Sequence, residues 1–158
     1  MILAFAAFAP TEPDQVRPAV AAVCSATEKL GTTEPELRRA LGALAARRET
    51  VVQNPHEPTQ KDVRVDIEFK SASAVLYIVP AANRSFLAQF VLRRPLANLE
   101  VPIRIGAPLK AAREYLGVPD SEKPNALEYR CDYELGSTLR IGYTRGRVSS
   151  IEWHNWPD

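Results

Sequence analysis

The sequence predicts an α+β fold, built from two tandem copies of a short helix packed on a small antiparallel β-meander, with an additional N-terminal helix. Segments 30–42 and 105–117 carry the first indication, because each begins and ends with an aliphatic residue followed by glycine. Strand-like alternation follows both, at 63–69 and again at 127–133. A unit this small cannot bury its sheet alone, so we expect the two copies to pair.

The repeat divides the chain into four parts. Residues 1–29 form an N-terminal segment, 30–95 the first copy, 96–104 a linker and 105–158 the second copy. Each copy is predicted to contain one helix followed by three strands.

Helix signals mark the start of each copy. In the first, Thr33 and Glu36 form a capping box, in which each side chain satisfies a free backbone amide. An apolar stripe follows and extends this helix to Leu44, with an arginine-rich solvated face. In the second, Pro108 opens the helix and Gly117 suits a left-handed C-cap. A further short helix is expected from Pro18 to Thr27, with Val20 and Val23 on its apolar face.

The strands of the first copy have an unusual pattern. Segments 74–79 and 86–92 form a hairpin that is apolar on both faces. Its first strand places Val75, Tyr77 and Val79 on one face and Leu76 and Ile78 on the other. A sheet with one wet face would not look like this, so the N-terminal helix, the other copy or a partner chain should cover the second face. One alternative is a homodimer that closes over Leu76 and Ile78.

The second copy continues with strands at 127–133, 138–143 and 148–153. Segments 53–62 and 120–125 are predicted as loops from their composition.

Composition excludes several function classes. The 158 residues carry 20 basic and 19 acidic side chains, a net charge of +1, which provides no field for binding nucleic acid. No segment is apolar for long enough to span a bilayer. The two cysteines, Cys24 and Cys131, leave two alternatives: one bridge between the copies in an oxidising compartment, or two small buried thiols.

The first nine residues are apolar and end in an A-x-A pattern typical of the end of a secretory signal, although no basic residue precedes Arg17. A packed or mobile N-terminal arm is the alternative. We therefore expect a periplasmic or secreted protein, with a cytoplasmic location as the alternative. Lipidation at Cys24 is not expected, because Val23 is too large for the residue before it.

No catalytic or metal-binding motif is present. The two histidines, His56 and His154, have no metal-ligand spacing, and no nucleophile elbow or phosphate loop occurs. We expect no enzyme activity, no cofactor and no metal.

The most suggestive surface is the sheet face and hairpin of the second copy, because tryptophan and arginine are favoured at binding hot spots. The predicted protein-binding residues are Arg130, Arg140, Arg145, Trp153, His154 and Trp156. For Trp153 a core position beside Ile151 is the favoured explanation, and Trp156 is explained equally well by packing against the end of the sheet.

The glycine-flanked helices also carry a family likeness. The pattern G-M-[ST]-x-x-[EQ]-V-x-x-x-L-G-x-P, followed by short strands, resembles the SmpA/OmlA (BamE) outer-membrane assembly lipoproteins and the tandem-repeat β-lactamase inhibitor proteins. The matching residues are Gly31, Thr33, Glu36, Leu37, Leu41 and Gly42 in the first copy, and Gly106, Leu116, Gly117 and Pro119 in the second. The chain departs from the pattern by lacking the methionine in both copies and the lipobox.

The resemblance implies an exported bacterial envelope protein, without catalysis, that binds another protein through its sheet in a scaffold or assembly role. Two alternatives stay open. One is a secreted inhibitor or immunity-type protein that binds one enzyme stoichiometrically. The other is a small-ligand carrier with a cavity between helix and sheet, motivated by the doubly apolar strands.

Overall fold

The computed structural model describes residues 15–155, so residues 1–9 and Trp156 lie outside the described residues. The described part contains three α-helices and one antiparallel sheet of eight strands. The predicted α+β class is confirmed, with the sheet as the dominant element. No helix in this part of the chain is long and apolar enough to cross a membrane.

The helices are α1, α2 and α3, at Pro18–Cys24, Glu34–Leu41 and Leu109–Leu116, and a 3₁₀ turn at Ser25–Leu30 continues from the first. The eight strands β1 to β8 are Leu44–Gln53, Lys61–Phe69, Ala72–Val79, Arg84–Leu92, Ser121–Lys123, Ala126–Arg130, Thr138–Thr144 and Arg147–His154.

The strand order is β1-β2-β3-β4-β8-β7-β6-β5. Helix α2 therefore precedes four strands that advance by hairpins toward the middle of the sheet, and α3 precedes four that advance from the opposite edge. The two runs meet where β4 pairs with β8, over residues 89–92 and 151–154. The prediction of three strands in each half is wrong, because the structure has four. The interpretation of the halves as copies stays a prediction.

The missed strand of the first half is β1. The helix predicted to reach Leu44 ends at Leu41, because Gly42 adopts a φ of 91° and donates its amide to the Arg38 carbonyl. From Leu44 the chain forms an edge strand, and Arg47 on this strand reaches back to Glu34 of α2, with Nε 2.8 Å from Oε2. An edge strand exposed on both sides carries no alternation that would separate it from a solvated helix face.

The second half differs from expectation at two places. Strand β5 lies within 120–125, which was predicted as a loop, and is only three residues long. The strand expected over 127–133 ends at Arg130. Beyond it the Asp132 carboxylate accepts the amides of Glu134 and Leu135 in a turn.

The core lies between one face of the sheet and the three helices. Helix residues Val23, Leu37 and Leu116 are buried against alternate strand residues such as Ile67 and Ile141. The predicted burial of the short N-terminal helix is confirmed. The predicted capping box of α2 is present as well.

Two links hold α1 to the second half of the sheet. Cys24, the last residue of α1, forms a disulfide with Cys131 just after β6, across a sequence separation of 107. The indole of Trp153 donates Nε1–H to the Val23 carbonyl, at 2.8 Å. The first described helix is thus fixed to residues 131 and 153, in the second half of the sheet, by a covalent bond and a buried hydrogen bond.

Candidate protein-binding face

One face of the sheet has no helix from the described residues packed on it; we call it the open face. Side chains alternate between the two faces of a strand. The residues of the open face are therefore those that precede and follow the buried core residues along each strand. Strand pairing places these side chains in rows across the sheet. One row runs from Arg130 through Thr138, His154 and Gln89 to Val75.

A second row of the open face contains alternating charges. Arg140 on β7 lies between Glu128 on β6 and Glu152 on β8. The Arg140 Nη1 is 3.8 Å from Glu152 Oε2, and the His154 Nε2 is 3.6 Å from the same oxygen. The Arg140 Nε is buried with no hydrogen-bond partner in residues 15–155. This cluster is only partly exposed and presents a surface of nearly balanced charge.

The electrostatics of this cluster centre on one carboxylate. The neighbouring His154 imidazole is the largest cause that lowers the pKa of Glu152 from 4.5, and it acts with the Ser150 hydroxyl and the Arg140 charge against the opposing effect of burial. The Ser150 hydroxyl donates to Glu152 Oε1 at 3.0 Å. Glu152 therefore stays ionised at neutral pH and holds the surrounding donors in place.

Apolar side chains occupy the middle of the open face. Val75, Tyr77 and Val79 on β3 are half-buried, and Phe86 on β4 lies opposite Tyr77. Val91, also on this face, is 8% exposed. We call these five residues the apolar strip.

Charged pairs border the apolar strip on the first half of the sheet as well. On β2, Arg64 Nη2 lies 2.8 Å from Asp66 Oδ1. Arg93 Nη1 lies 3.6 Å from Glu68 Oε2. The open face thus has an apolar centre with a charged margin on both sides, the distribution found in protein–protein interfaces.

The structure brings together only part of the predicted site. Arg130, Arg140 and His154 share the open face of the second half. Arg145 is in the turn between β7 and β8, at the far end of that hairpin from His154. Trp156 lies outside the described residues.

The placement of Trp153 on this surface is wrong. Its side chain is 0% exposed and contacts the Phe90 ring at 5.6 Å between centroids, on the helix side of the sheet. One position in a strand separates the two faces, so Trp153 and His154 point in opposite directions. The ordinary explanation as a core residue is correct for this tryptophan.

The alternative of a homodimer that closes over Leu76 and Ile78 needs the same correction. Leu76 is 1% exposed in the core beneath the helices, so it has no surface to offer a second chain. The uncovered face of β3 carries Val75, Tyr77 and Val79 instead. Sequence reasoning found the two faces of this strand and could not tell which one the helices cover.

A cavity of about 370 Å³ does lie between α2 and the sheet, where a carrier would hold a ligand. It is lined by Pro35 of α2 together with Val65, Leu76 and Ile78 of the strands, and by Arg47 at its edge. Within residues 15–155, no cluster of three His, Cys, Asp or Glu side chains could hold a metal ion.

Comparison of the chain with protein-family models, with curated proteins and with solved structures finds no match.

Proposed function

We propose that this protein is a non-enzymatic binding protein of the bacterial envelope that docks another protein on the open face of its sheet. The carrying observation is the apolar strip. Five apolar side chains on a helix-free face lie between the charged cluster of Arg140 and Glu152 and the ion pairs of β2. Buried apolar centres with polar margins supply most of the binding energy of protein interfaces.

The disulfide supports the envelope part of the proposal. A bridge between Cys24 and Cys131 persists in oxidising compartments and is rarely kept in a reducing cytosol. The resemblance of the glycine-flanked helices to envelope assembly and inhibitor proteins supports the same assignment. Fractionation of host cells, followed by blocking of free thiols with a mass-tagged reagent, tests it: the two cysteines should be unreactive in the periplasmic or secreted fraction.

Photo-crosslinking from single positions tests the docking face. A photoreactive residue replaces Gln89, in the middle of the open face, or Lys110 on α3, whose side chain is 85% exposed on the helix side. Intact host cells are irradiated, and adducts are identified by mass spectrometry. We expect one stoichiometric adduct from position 89 and none from position 110.

The two positions serve as matched controls, because both are surface sites of the same fold. Identical adducts from both positions, or no stoichiometric adduct from position 89, would contradict docking on the open face. If the crosslinked partner is an enzyme, its inhibition by this protein at a one-to-one ratio would identify the inhibitor or immunity-type form of this function.

A further inference from the structure

A second cavity, of about 330 Å³, lies at one end of the open face beside the loop that joins β1 to β2. It differs from the cavity beneath α2, because Tyr77 and Val79 face away from Leu76 and Ile78, although Arg84 at the start of β4 borders both. Apolar side chains form most of its wall: Pro55, Tyr77, Val79, Ala82 and Phe86. Its size is that of a pocket for a small ligand or a single long side chain.

The floor of this cavity contains a buried carboxylate. Asp62 lines the cavity and is 0% exposed. Its Oδ2 accepts two hydrogen bonds, from the Tyr77 hydroxyl at 2.6 Å and from Asn54 Nδ2 at 2.8 Å. Its Oδ1 has no hydrogen-bond partner among residues 15–155. A buried oxygen that accepts nothing is unusual in a folded protein and calls for an explanation.

The groups around Asp62 are fixed before any ligand arrives. The Asn54 side chain accepts the amides of His56 and Glu57, both at 2.8 Å, so the loop and the carboxamide hold each other. Burial, followed by the hydrogen bond to Asp62 and its charge, raises the pKa of Tyr77 to about 12. Tyr77 therefore remains a donor, and the carboxylate keeps its orientation.

The charge of Asp62 is not matched by a protein cation. None of the ion pairs formed within residues 15–155 includes it. Arg84 lines the same cavity, but its guanidinium carbon lies 5.2 Å from the centre of the Phe86 ring, stacked on the wall. The described residues offer no cluster that would hold a metal ion. Glu57 also lines the cavity, but it is exposed and accepts the Thr59 hydroxyl. An organic cation fits the buried carboxylate, Asp62, which has an oxygen without a partner below apolar walls.

We propose that this cavity binds an ammonium group on an apolar stem, with the Asp62 carboxylate taking the charge and the Phe86 and Val79 side chains contacting the stem. Two sources have this chemistry: a free small amine, or a lysine side chain of a protein docked on the open face. The site goes beyond the proposed function and does not depend on it, because a small amine can be tested with no partner present.

The test is a titration of the whole chain with three probes of similar shape, in which the backbone amide NMR signals are monitored. Benzylammonium is the cation, benzyl alcohol the neutral analogue and benzoate the anion. We expect saturable shifts for benzylammonium at the amides of residues 54, 56, 57 and 77–79. Benzyl alcohol should bind about tenfold or more weakly, because its hydroxyl can still donate to the carboxylate but carries no positive charge. Equal or tighter binding of benzyl alcohol or benzoate would overturn the proposal.

Two variants locate the charge. Asp62→Asn keeps the shape and should weaken benzylammonium by about tenfold or more while leaving benzyl alcohol unchanged. Asp66→Asn is the matched control, because Asp66 is on the same strand and face but pairs with Arg64 outside the cavity. It should leave the affinity of benzylammonium unchanged. Equal loss in the two variants would refute the role of Asp62, and if Asp62→Asn does not fold, the three wild-type titrations decide alone.

Capped lysine, with its backbone nitrogen acetylated and its carboxyl amidated, separates the two sources. Binding at the same amides, in competition with benzylammonium, would assign the site to a partner's lysine. Binding of benzylammonium alone would assign it to a free amine. No saturable binding of either probe would overturn the site itself and would leave docking on the open face to its own crosslinking test.

Discussion

Removal of the disulfide is the perturbation whose size the structure predicts best. The Cys24–Cys131 bridge closes a loop with a sequence separation of 107. In the chain-entropy account, closing a loop of about 100 residues restricts the unfolded chain enough to stabilise the folded state by about 4.7 kcal/mol, and native bridges are typically worth about 2–5 kcal/mol. For a chain of this size 1 kcal/mol shifts the Tm by roughly 2–4 °C, so a change near 4 kcal/mol corresponds to about 8–16 °C.

The assay is thermal unfolding by circular dichroism, with two samples that lose the bridge in different ways. One is the wild-type protein with a phosphine reductant, and the other is the Cys24→Ser, Cys131→Ser double variant without it. Both should unfold at the same lower temperature, and the reductant should have no further effect on the variant. Intact mass under non-reducing conditions checks the starting state, since the bridged protein is lighter by two hydrogens.

A double variant that unfolds within about 2 °C of the oxidised wild type would refute the reasoning, because the expected shift is several times larger. It would show that α1 is held by its packing and by the Trp153 hydrogen bond alone. A large fall in the Tm of the reduced wild type, without a matching fall in the Tm of the untreated double variant, would point to an effect of the reductant unrelated to the bridge.

Three further results are expected. Trp153→Phe keeps most of the buried ring but removes the indole N–H that is donated to the Val23 carbonyl, so urea unfolding should show a loss of about 1–1.5 kcal/mol; a loss below about 0.5 kcal/mol would contradict the hydrogen bond. Because the folded state lowers the pKa of Glu152, wild-type stability should fall as the pH falls below 4.5, and Glu152→Gln should flatten that fall; parallel pH profiles would argue against it. Gly31 has φ 81° and ψ −177°, a region that is essentially restricted to glycine, and a Cβ there would lie 2.5 Å from Glu36 Oε2; chemical unfolding of Gly31→Ala should therefore show a cost of about 1–3 kcal/mol, whereas unchanged stability would argue against this backbone conformation.

Much of the fold could be predicted because its signals are local. The capping box of Thr33 and Glu36 and the glycine stop at Gly117 each depend on a few neighbouring residues. The strands β2, β7 and β8 alternate, since one face of each is buried. Strand β1 could not be found in this way: it is an edge strand rich in arginine and alanine, directly after a helix, and nothing buried gives it a period.

The candidate sites were less predictable, because they depend on tertiary placement. The two faces of β3 could be separated by alternation, but which of them the helices cover depends on how α1 and α2 pack. The cavity of Asp62 was missed for a related reason. Asn54 and Asp62 come together only in the β1–β2 hairpin, and that hairpin requires a strand that the sequence does not signal. Read along the chain, Asp62 is one of two carboxylates in the polar segment 53–62.

The meeting of β4 and β8 in the middle of the sheet has a consequence for how the chain acquires its structure. Hairpins between consecutive strands join residues that are close in sequence. Strand β4, in contrast, can complete its pairing only when β8 is available, much later in the sequence. Contacts between distant residues form slowly, because closing a long loop costs conformational entropy. Helix α1 waits too, because Cys24 and Val23 both take their partners from residue 131 or beyond. During synthesis, the free thiol of Cys24 and the unpaired edge of β4 are therefore exposed at the same time. In this interval the chain is most susceptible to a non-native disulfide or to pairing with a strand of another chain.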